Sequence, residues 1–225
     1  MRFLRRTTLL VLAAALAVVV PLSLASPASA SDHGPPATPT HRVDGMTGGE
    51  LQGQFWAYVY STASPSTTCF HLGQTGQVYF LPYEPPTCDI TEGTPIFVLG
   101  WSTTCSDVEP PPYFAVGEAA QQACARTAID LDMVQAITVK VDDGPIVDIH
   151  ADRFGEYAPQ QDVLLPPDNF LGLPPGTHAT LSAYGWVALV GHLHPGHHTI
   201  HTEVVFPTDA NVRTIVVNVV PVPSS

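Results

Sequence analysis

The first thirty residues constrain this chain most, because they predict the compartment in which the rest of it folds. Three arginines within the first six residues precede an uncharged apolar run over 9–20, and Pro21 follows that run. Residues 28–30 read Ala-Ser-Ala, the small-x-small pattern that signal peptidase accepts. The run is shorter than the roughly 20 apolar residues that span a bilayer. Residues 1–30 are therefore predicted to be a cleaved signal peptide. The mature chain, starting at Ser31, is expected to be secreted and extracellular, with no stable membrane anchor.

Four cysteines lie beyond the predicted signal peptide, and their even number indicates disulfides in an oxidising compartment. Four cysteines allow three pairings, and sequence alone leaves the choice open. We favour Cys69–Cys88 and Cys105–Cys124, because the two loops closed in this way have similar, modest lengths. Each bridge would stabilise the fold by roughly 3 kcal/mol. A zinc site is the alternative, but the chain has no C-x-x-C pair of ligands.

The charge balance narrows the range of partners. The chain has 20 acidic residues and only 8 Lys or Arg, which gives a formal net charge of −12. Loss of the predicted signal peptide would remove three of the arginines and leave the chain more acidic still. Binding to nucleic acid or to anionic lipid needs clustered Lys and Arg, so neither is an expected partner. An extracellular ligand or an envelope polymer remains open, and the sequence indicates no oligomeric state.

The chain divides into a short leader and one domain. Residues 31–45 are rich in Pro, Thr, Gly and Asp and lack apolar periodicity, which predicts a flexible leader. Residues 46–225 have a length that suits a single domain with its own core. Within this domain, apolar residues at four-residue spacing predict a short helix over 51–60. The alanine-rich segment 117–131 predicts a second helix.

The second half of the domain has the pattern of β-structure. Alternating apolar residues over 137–141 are followed by Asp143-Gly144, a strong hairpin turn signal. Further strands are predicted between turn residues rich in Pro and Gly, at 77–81, 95–100, 178–182, 184–193, 198–205 and 213–220. The whole pattern predicts a mainly β fold: an antiparallel β-sandwich with one or two short helices in the N-terminal half, held by disulfides.

Several short motifs carry a resemblance to a known family. They include F-W-A-Y at 55–58, G-W-V-A-L at 185–189 and P-G-H-H-T-I at 195–200. The chain resembles an uncharacterised family of secreted bacterial proteins that have a signal peptide and a β-sandwich-like C-terminal half. The resemblance runs over 49–220. The resemblance implies an extracellular compartment and a β-sandwich-like C-terminal half, and it assigns no residue a catalytic role.

The segment 191–203 holds a local cluster of residues suited to metal chemistry. If Pro195-Gly196 forms the turn of a hairpin, side-chain alternation places four histidines on one exposed face, with Glu203 beside them. Neutral imidazole suits zinc and copper, so this face is a candidate zinc or copper site. Its candidate ligands are His192, His194, His197 and His201. Ordinary solvated histidines are the alternative, and His198 falls on the core face of the same strand.

Trp186 lies on the same predicted face as the four histidines and is a candidate for stacking on a bound ligand such as a sugar. A position in the core or between the sheets is the favoured alternative. No catalytic residues are predicted, because the chain has neither a G-x-S-x-G nucleophile motif nor a glycine-rich phosphate loop. We therefore expect a non-catalytic extracellular binding or structural domain with no favoured cofactor. The alternative is a metal-binding protein, or a metal-dependent extracellular enzyme, that uses the segment 192–203.

Overall fold

The structure, a computed structural model, describes residues 42–63, 70–81, 88–191 and 193–222. The predicted signal peptide and residues 31–41 of the predicted leader lie outside the described residues. So do Cys69, His192 and the side chain of Cys88, and with them the predicted Cys69–Cys88 disulfide. None of the helices in the described ranges has the length and apolar character of a membrane span.

The described residues form two α-helices, one 3-10 turn and eleven strands. The helices are α1 (Gly48–Ser61) and α2 (Glu118–Leu131), and the 3-10 turn spans Asp152–Phe154. The strands are β1 (Phe70–Leu72), β2 (Val78–Phe80), β3 (Cys88–Thr91), β4 (Ile96–Ser106), β5 (Ala136–Val141), β6 (Val147–Asp148), β7 (Gly155–Tyr157), β8 (Gln161–Leu164), β9 (His178–Val190), β10 (Gly196–Val205) and β11 (Ala210–Val220). Both predicted helices and the mainly β character are confirmed.

The strands form two sheets, and both sheets are mixed. The first sheet has the order β1-β2-β4-β9-β7, with β8 also paired to β9, and the second has the order β3-β11-β10-β5-β6. Most neighbours are antiparallel, but β2 pairs with β4, and β3 with β11, in parallel. The prediction of antiparallel sheets is therefore wrong at these two pairs. The path of the chain explains the parallel pairing of β2 with β4. After β2 the chain leaves the first sheet, forms β3 in the second sheet and returns to form β4 in the same direction as β2.

Helix α1 begins at a capping box and lies very close to the first sheet. The Thr47 hydroxyl accepts a hydrogen bond from the Glu50 N–H at 3.2 Å, and the Thr47 N–H donates to the Glu50 carboxylate at 2.7 Å. A Cβ atom at Gly49 would lie 2.3 Å from the carbonyl oxygen of Tyr157 in β7. Glycine at this position therefore permits the close approach of α1 to the sheet.

The last residues assigned to the leader by the sequence, 42–45, make defined contacts. Val43 forms an isolated β-bridge with Met46. The Asp44 carboxylate accepts a hydrogen bond from the Thr75 N–H at 2.9 Å. This end of the segment therefore packs against the domain.

Strand β9 is buried on both faces from residue 181 to residue 190. On one face, Leu189 belongs to an apolar cluster that includes Phe55 of α1. On the other face, Ala188 belongs to a cluster that includes Ile200 of the second sheet. Because both faces are covered, the sequence of β9 is nearly continuous in apolar residues rather than alternating.

The predicted disulfide between Cys105 and Cys124 is confirmed, and it joins β4 to α2. The two Cα atoms lie 6.0 Å apart, and Cys105 is fully buried. Near this bridge, the buried amide of Gln121 donates a hydrogen bond to the backbone carbonyl of Thr180 in β9 at 2.8 Å. These contacts fix α2 against the first sheet.

A hydrogen-bond network ties the end of α1 to the segment after β4. The buried Tyr60 hydroxyl donates to the Glu109 carboxylate at 2.7 Å and lies 2.9 Å from the Thr104 hydroxyl. The Ser106 hydroxyl donates to the same carboxylate at 2.9 Å. Burial raises the pKa of Glu109, and the two donated hydrogen bonds offset part of that shift.

We expect Glu109→Gln to stabilise the protein at neutral pH but not at low pH. The folded state holds the Glu109 proton more tightly than the unfolded state, in which a glutamate titrates at about pH 4.3. The charge of Glu109 therefore lowers stability progressively as the pH rises from that value through the raised folded-state pKa. Urea unfolding of the wild type and of Glu109→Gln at a series of pH values gives the difference in their free energies of unfolding. The contributions of the other acidic groups cancel in this difference. A difference that does not change with pH would refute this account of Glu109.

Candidate functional site

The predicted histidine hairpin is not formed. Strand β9 pairs with β4, β7 and β8 in the first sheet, whereas β10 pairs with β5 and β11 in the second. Pro195-Gly196 therefore lies where the chain has crossed between the sheets, and not in a turn that joins two paired strands. The hairpin prediction is wrong because β9 is apolar on both faces and needs cover on both sides, which an exposed hairpin does not provide.

The predicted metal ligands that the structure describes lie partly in the connection after β9 and partly on β10. His194 is exposed in the connection, and its Nδ1 atom lies 4.0 Å from a carboxylate oxygen of Glu92. His197 is exposed on β10, and His201 is hydrogen-bonded to a threonine of β11. His192 lies outside the described residues. Among the side chains that the structure describes, no three of His, Cys, Asp or Glu come together as a metal site, and zinc or copper binding stays a prediction.

His198 lies on the buried face of β10, as its position in the strand predicts, with 9% of its side chain exposed. Its Nδ1 atom lies 2.7 Å from the Asp142 carboxylate, and its Nε2 atom lies 2.7 Å from the carbonyl oxygen of His194. The Asp142 carboxylate also accepts a hydrogen bond from the Thr199 N–H at 2.7 Å. His198 thereby fastens the sheet-to-sheet connection to the end of β5.

Trp186 is buried, with 6% of its surface exposed, as the favoured core interpretation predicts. The residue nevertheless lines a cleft of about 240 Å³. We call this space the Trp186 cleft. Its wall includes, besides Trp186, the side chains of Arg126, Asp130, Met133, His150 and Asp152.

Four parts of the chain build the Trp186 cleft. Helix α2 supplies the arginine and the first aspartate, the connection to β5 supplies the methionine, and the segment after β6 supplies the histidine and the second aspartate. Strand β9 supplies Trp186. Glycine at 155 allows the segment after β6 to lie close to β9, because a Cβ atom there would be 2.4 Å from the Tyr184 hydroxyl.

The Trp186 indole has an unused hydrogen-bond donor. Its Nε1 atom is buried and has no hydrogen-bond partner within the described residues. The centre of the His150 ring lies 4.5 Å from the centre of the indole, and the centre of the Tyr184 ring lies 5.7 Å away. A buried N–H without an acceptor costs about 1–3 kcal/mol. Trp186 therefore buries an N–H group that has no acceptor in the described part of the chain.

Arg126 is held by two contacts beside this tryptophan. Its guanidinium forms an ion pair with Asp130, one turn further along α2, and lies 4.9 Å from the centre of the Tyr184 ring. The hydrogen bond to Asp130 raises the pKa of Arg126, so the guanidinium stays charged. Asp152, by contrast, makes no side-chain hydrogen bond or ion pair within the described part of the chain. The cleft thus contains one neutralised ion pair and one unpaired carboxylate.

No protein-family model, curated protein or solved structure matches this chain. The resemblance to secreted bacterial proteins stays a prediction. The chemistry of the Trp186 cleft is therefore the basis for a functional assignment.

Trp186 is the one residue of this wall that the sequence retained as a candidate site residue. Arg126 and His150 belong to no local motif, and they meet Trp186 only because α2 and the segment after β6 converge on β9. The Gly-Trp pair at 185–186 was the signal available in the sequence. It drew attention to Trp186, for which burial was the favoured interpretation.

Proposed function

We propose that this chain is an exported, non-catalytic carbohydrate-binding domain that takes one sugar unit in the Trp186 cleft. The observation that carries the proposal is the wall of this cleft, in which the aromatic side chain of Trp186 stands together with the charged side chains of Arg126 and Asp152. An aromatic ring packs against the apolar C–H face of a sugar, while guanidinium and carboxylate groups hydrogen-bond its hydroxyls. The cleft offers all of these groups together.

The size and the pairing of charges in the cleft suit binding of a small unit. Its volume of about 240 Å³ is below the roughly 300–1,000 Å³ of sites for drug-sized ligands. One sugar residue, or the end of a polymer, is of the matching size. Glycoside hydrolysis needs two carboxyl groups free to act as acid and base or nucleophile, whereas Asp130 is engaged with Arg126. This arrangement favours retention of a sugar over its hydrolysis.

The compartment and the layer arrangement belong to the same proposal. Side chains from both sheets share one apolar cluster, and we interpret them as the two layers of a β-sandwich. The predicted signal peptide, the Cys105–Cys124 disulfide and the resemblance to secreted bacterial proteins support export. An envelope polymer or another extracellular glycan is the expected partner.

A glycan array probed with the labelled protein tests the proposal. We expect binding to a subset of cell-wall oligosaccharides and an affinity lower by about tenfold in Trp186→Phe. This substitution keeps an aromatic ring in the core and reduces the aromatic surface that lines the cleft. Isothermal titration with the best oligosaccharide from the array measures the change.

The matched control is Trp56→Phe on α1. Its indole N–H donates to the Ser102 hydroxyl at 2.9 Å on the other side of the first sheet, so its replacement should leave glycan affinity unchanged. Equal losses in the two variants would point to a general effect on the fold. Wild-type protein that binds no glycan on the array would end the proposal.

A further inference from the structure

Independently of the proposed sugar site, we infer that the Cys105–Cys124 disulfide exchanges with an external dithiol protein through one sulfur only, the Sγ atom of Cys124. Cys105 is the thiolate that leaves when the bond opens and the thiol that resolves the intermediate when the bond forms. The disulfide is thus a site of reversible modification with one point of entry. The burial of the two cysteines, a groove beside Cys124 and the chemistry of that groove support the inference.

The two cysteines of the bridge differ in burial. Cys105 lies in β4 and is fully buried, and its neighbours Thr104 and Ser106 are buried as well. Cys124 lies on α2 and is only partly buried, where it packs against the apolar cluster that contains Cys105. Thiol–disulfide exchange begins when a thiolate reaches one of the two sulfur atoms, so access decides which sulfur is attacked. In the native protein, attack is therefore expected at Cys124.

A groove of about 340 Å³ lies beside Cys124, and we call it the Cys124 groove. Pro112 and Phe114 line it from the segment before α2, and Thr127 and Leu131 line it from the helix. The Sγ atom of Cys124 lies 3.4 Å from the carbonyl oxygen of Pro112 and 4.0 Å from that of Phe114. The sulfur itself, and not only the backbone of Cys124, is therefore next to the residues that line the groove.

The lining of the Cys124 groove is mostly apolar, and none of the residues that form it is charged. Two of them, Phe114 and Leu131, are 50% and 58% exposed. Exposed apolar surface that is grouped in this way is typical of sites that contact another molecule. The chemistry of the groove thus favours a partner whose reactive thiol is surrounded by apolar side chains, and it also admits a small uncharged thiol.

The exchange balances with the dithiol as the only co-reactant. One thiolate of the partner attacks Sγ of Cys124, the bond to Cys105 breaks, and the electron pair leaves on the Cys105 sulfur, which takes a proton from water. The second thiolate of the partner then attacks the partner's own sulfur in the mixed disulfide and releases the Cys124 thiolate. The partner is oxidised to a disulfide while the bridge is reduced to two thiols. The same steps in reverse form the bridge, with Cys105 as the resolving thiol.

Trapping of the first adduct in the wild-type protein tests the inference. The native, oxidised protein is treated with 2-mercaptoethanol and quenched with acid at intervals, and peptide mapping assigns the mixed disulfide to one of the four cysteines. We expect at least about tenfold more adduct on Cys124 than on Cys105. We also expect the rate to change by less than about twofold in urea too dilute to unfold the protein, because attack on Cys124 needs no global unfolding.

A substitution that fills the groove tests the route. Thr127 lies about one turn after Cys124, and helical side chains lean towards the helix N-terminus, so a phenylalanine at 127 would lie over the Cys124 groove. We expect Thr127→Phe to slow adduct formation about fivefold or more. Ala119→Phe is the matched control, because Ala119 is exposed on the same helix and does not line the groove.

Four results would overturn the inference. The first is an adduct mainly on Cys105, or in equal amounts on the two cysteines. The second is a rate that rises with urea in parallel with the unfolded fraction, since attack would then require unfolding. The third is a native protein that forms no adduct on either cysteine. The fourth is a Thr127→Phe variant that reacts as fast as Ala119→Phe, which would mean that the thiol does not enter through the groove.

Discussion

Replacing Cys105 and Cys124 together by alanine is expected to lower the free energy of unfolding by about 3 kcal/mol. The disulfide spans a sequence separation of 19 residues, and such a cross-link removes many conformations from the unfolded chain. In the folded protein it joins the buried end of β4 to α2, which supplies Arg126 and Asp130 to the Trp186 cleft. Loss of the bridge should therefore loosen the cleft together with the fold.

Guanidinium-induced unfolding, followed by tryptophan fluorescence, measures this change. The control is Thr127→Ala on the exposed side of α2, which should alter stability by no more than about 0.5 kcal/mol. An alanine double variant with the unfolding midpoint of the wild type would mean that α2 is held by its packing alone.

The second large effect is expected from His198→Ala, which should lower the free energy of unfolding by about 2–4 kcal/mol. The substitution removes the imidazole contacts to the Asp142 carboxylate and to the carbonyl oxygen of His194, both at 2.7 Å. The His194 carbonyl loses this donor, and the carboxylate keeps only its remaining hydrogen bonds, which include the one from the Thr199 N–H. A cavity in a buried position adds to the cost.

His197→Ala is the matched control for this experiment, because His197 is the preceding residue on the exposed face of β10. We expect it to change the melting temperature little, whereas His198→Ala should lower it by several degrees. Leu193, in the same connection, is also buried in the core. Similar small shifts in both variants would argue that packing of Leu193, and not the imidazole, holds the connection between the sheets.

The helices and strands whose formation depends on residues close in sequence were predictable. The alanine-rich composition of 117–131 led to α2, and the alternation over 137–141 led to β5. The choice of strand partners was not predictable in the same way. Whether β9 pairs with β10 depends on what covers each face of β9, and that cover comes from α1 on one side and from the second sheet on the other. The nearly continuous apolar sequence of β9 indicates cover on both faces, but it does not say which elements supply that cover.

The candidate site also combines features that the local sequence predicts with features that only long-range packing determines. Trp186 was recognisable as a residue of interest and burial was its favoured interpretation, but the elements that cover it follow from long-range packing. The histidine cluster depended on an assumed pairing, and it lost its geometry when β9 and β10 proved to lie in different sheets. Arg126, His150 and Asp152 sit on separate elements with no spacing rule between them. They become neighbours of Trp186 only in the folded chain.

The parallel pairing of β3 with β11 has a consequence for the order of assembly. Asp89 and Asn218, which are hydrogen-bonded across these strands at 2.8 Å, are 129 residues apart in the chain. Contacts between residues so far apart in the chain form late, because the entropy of closing a long loop is lost before the contacts stabilise the fold. While the later part of the chain is still being synthesised, β3 has no partner in the second sheet, and that sheet is completed only after β11 has been made.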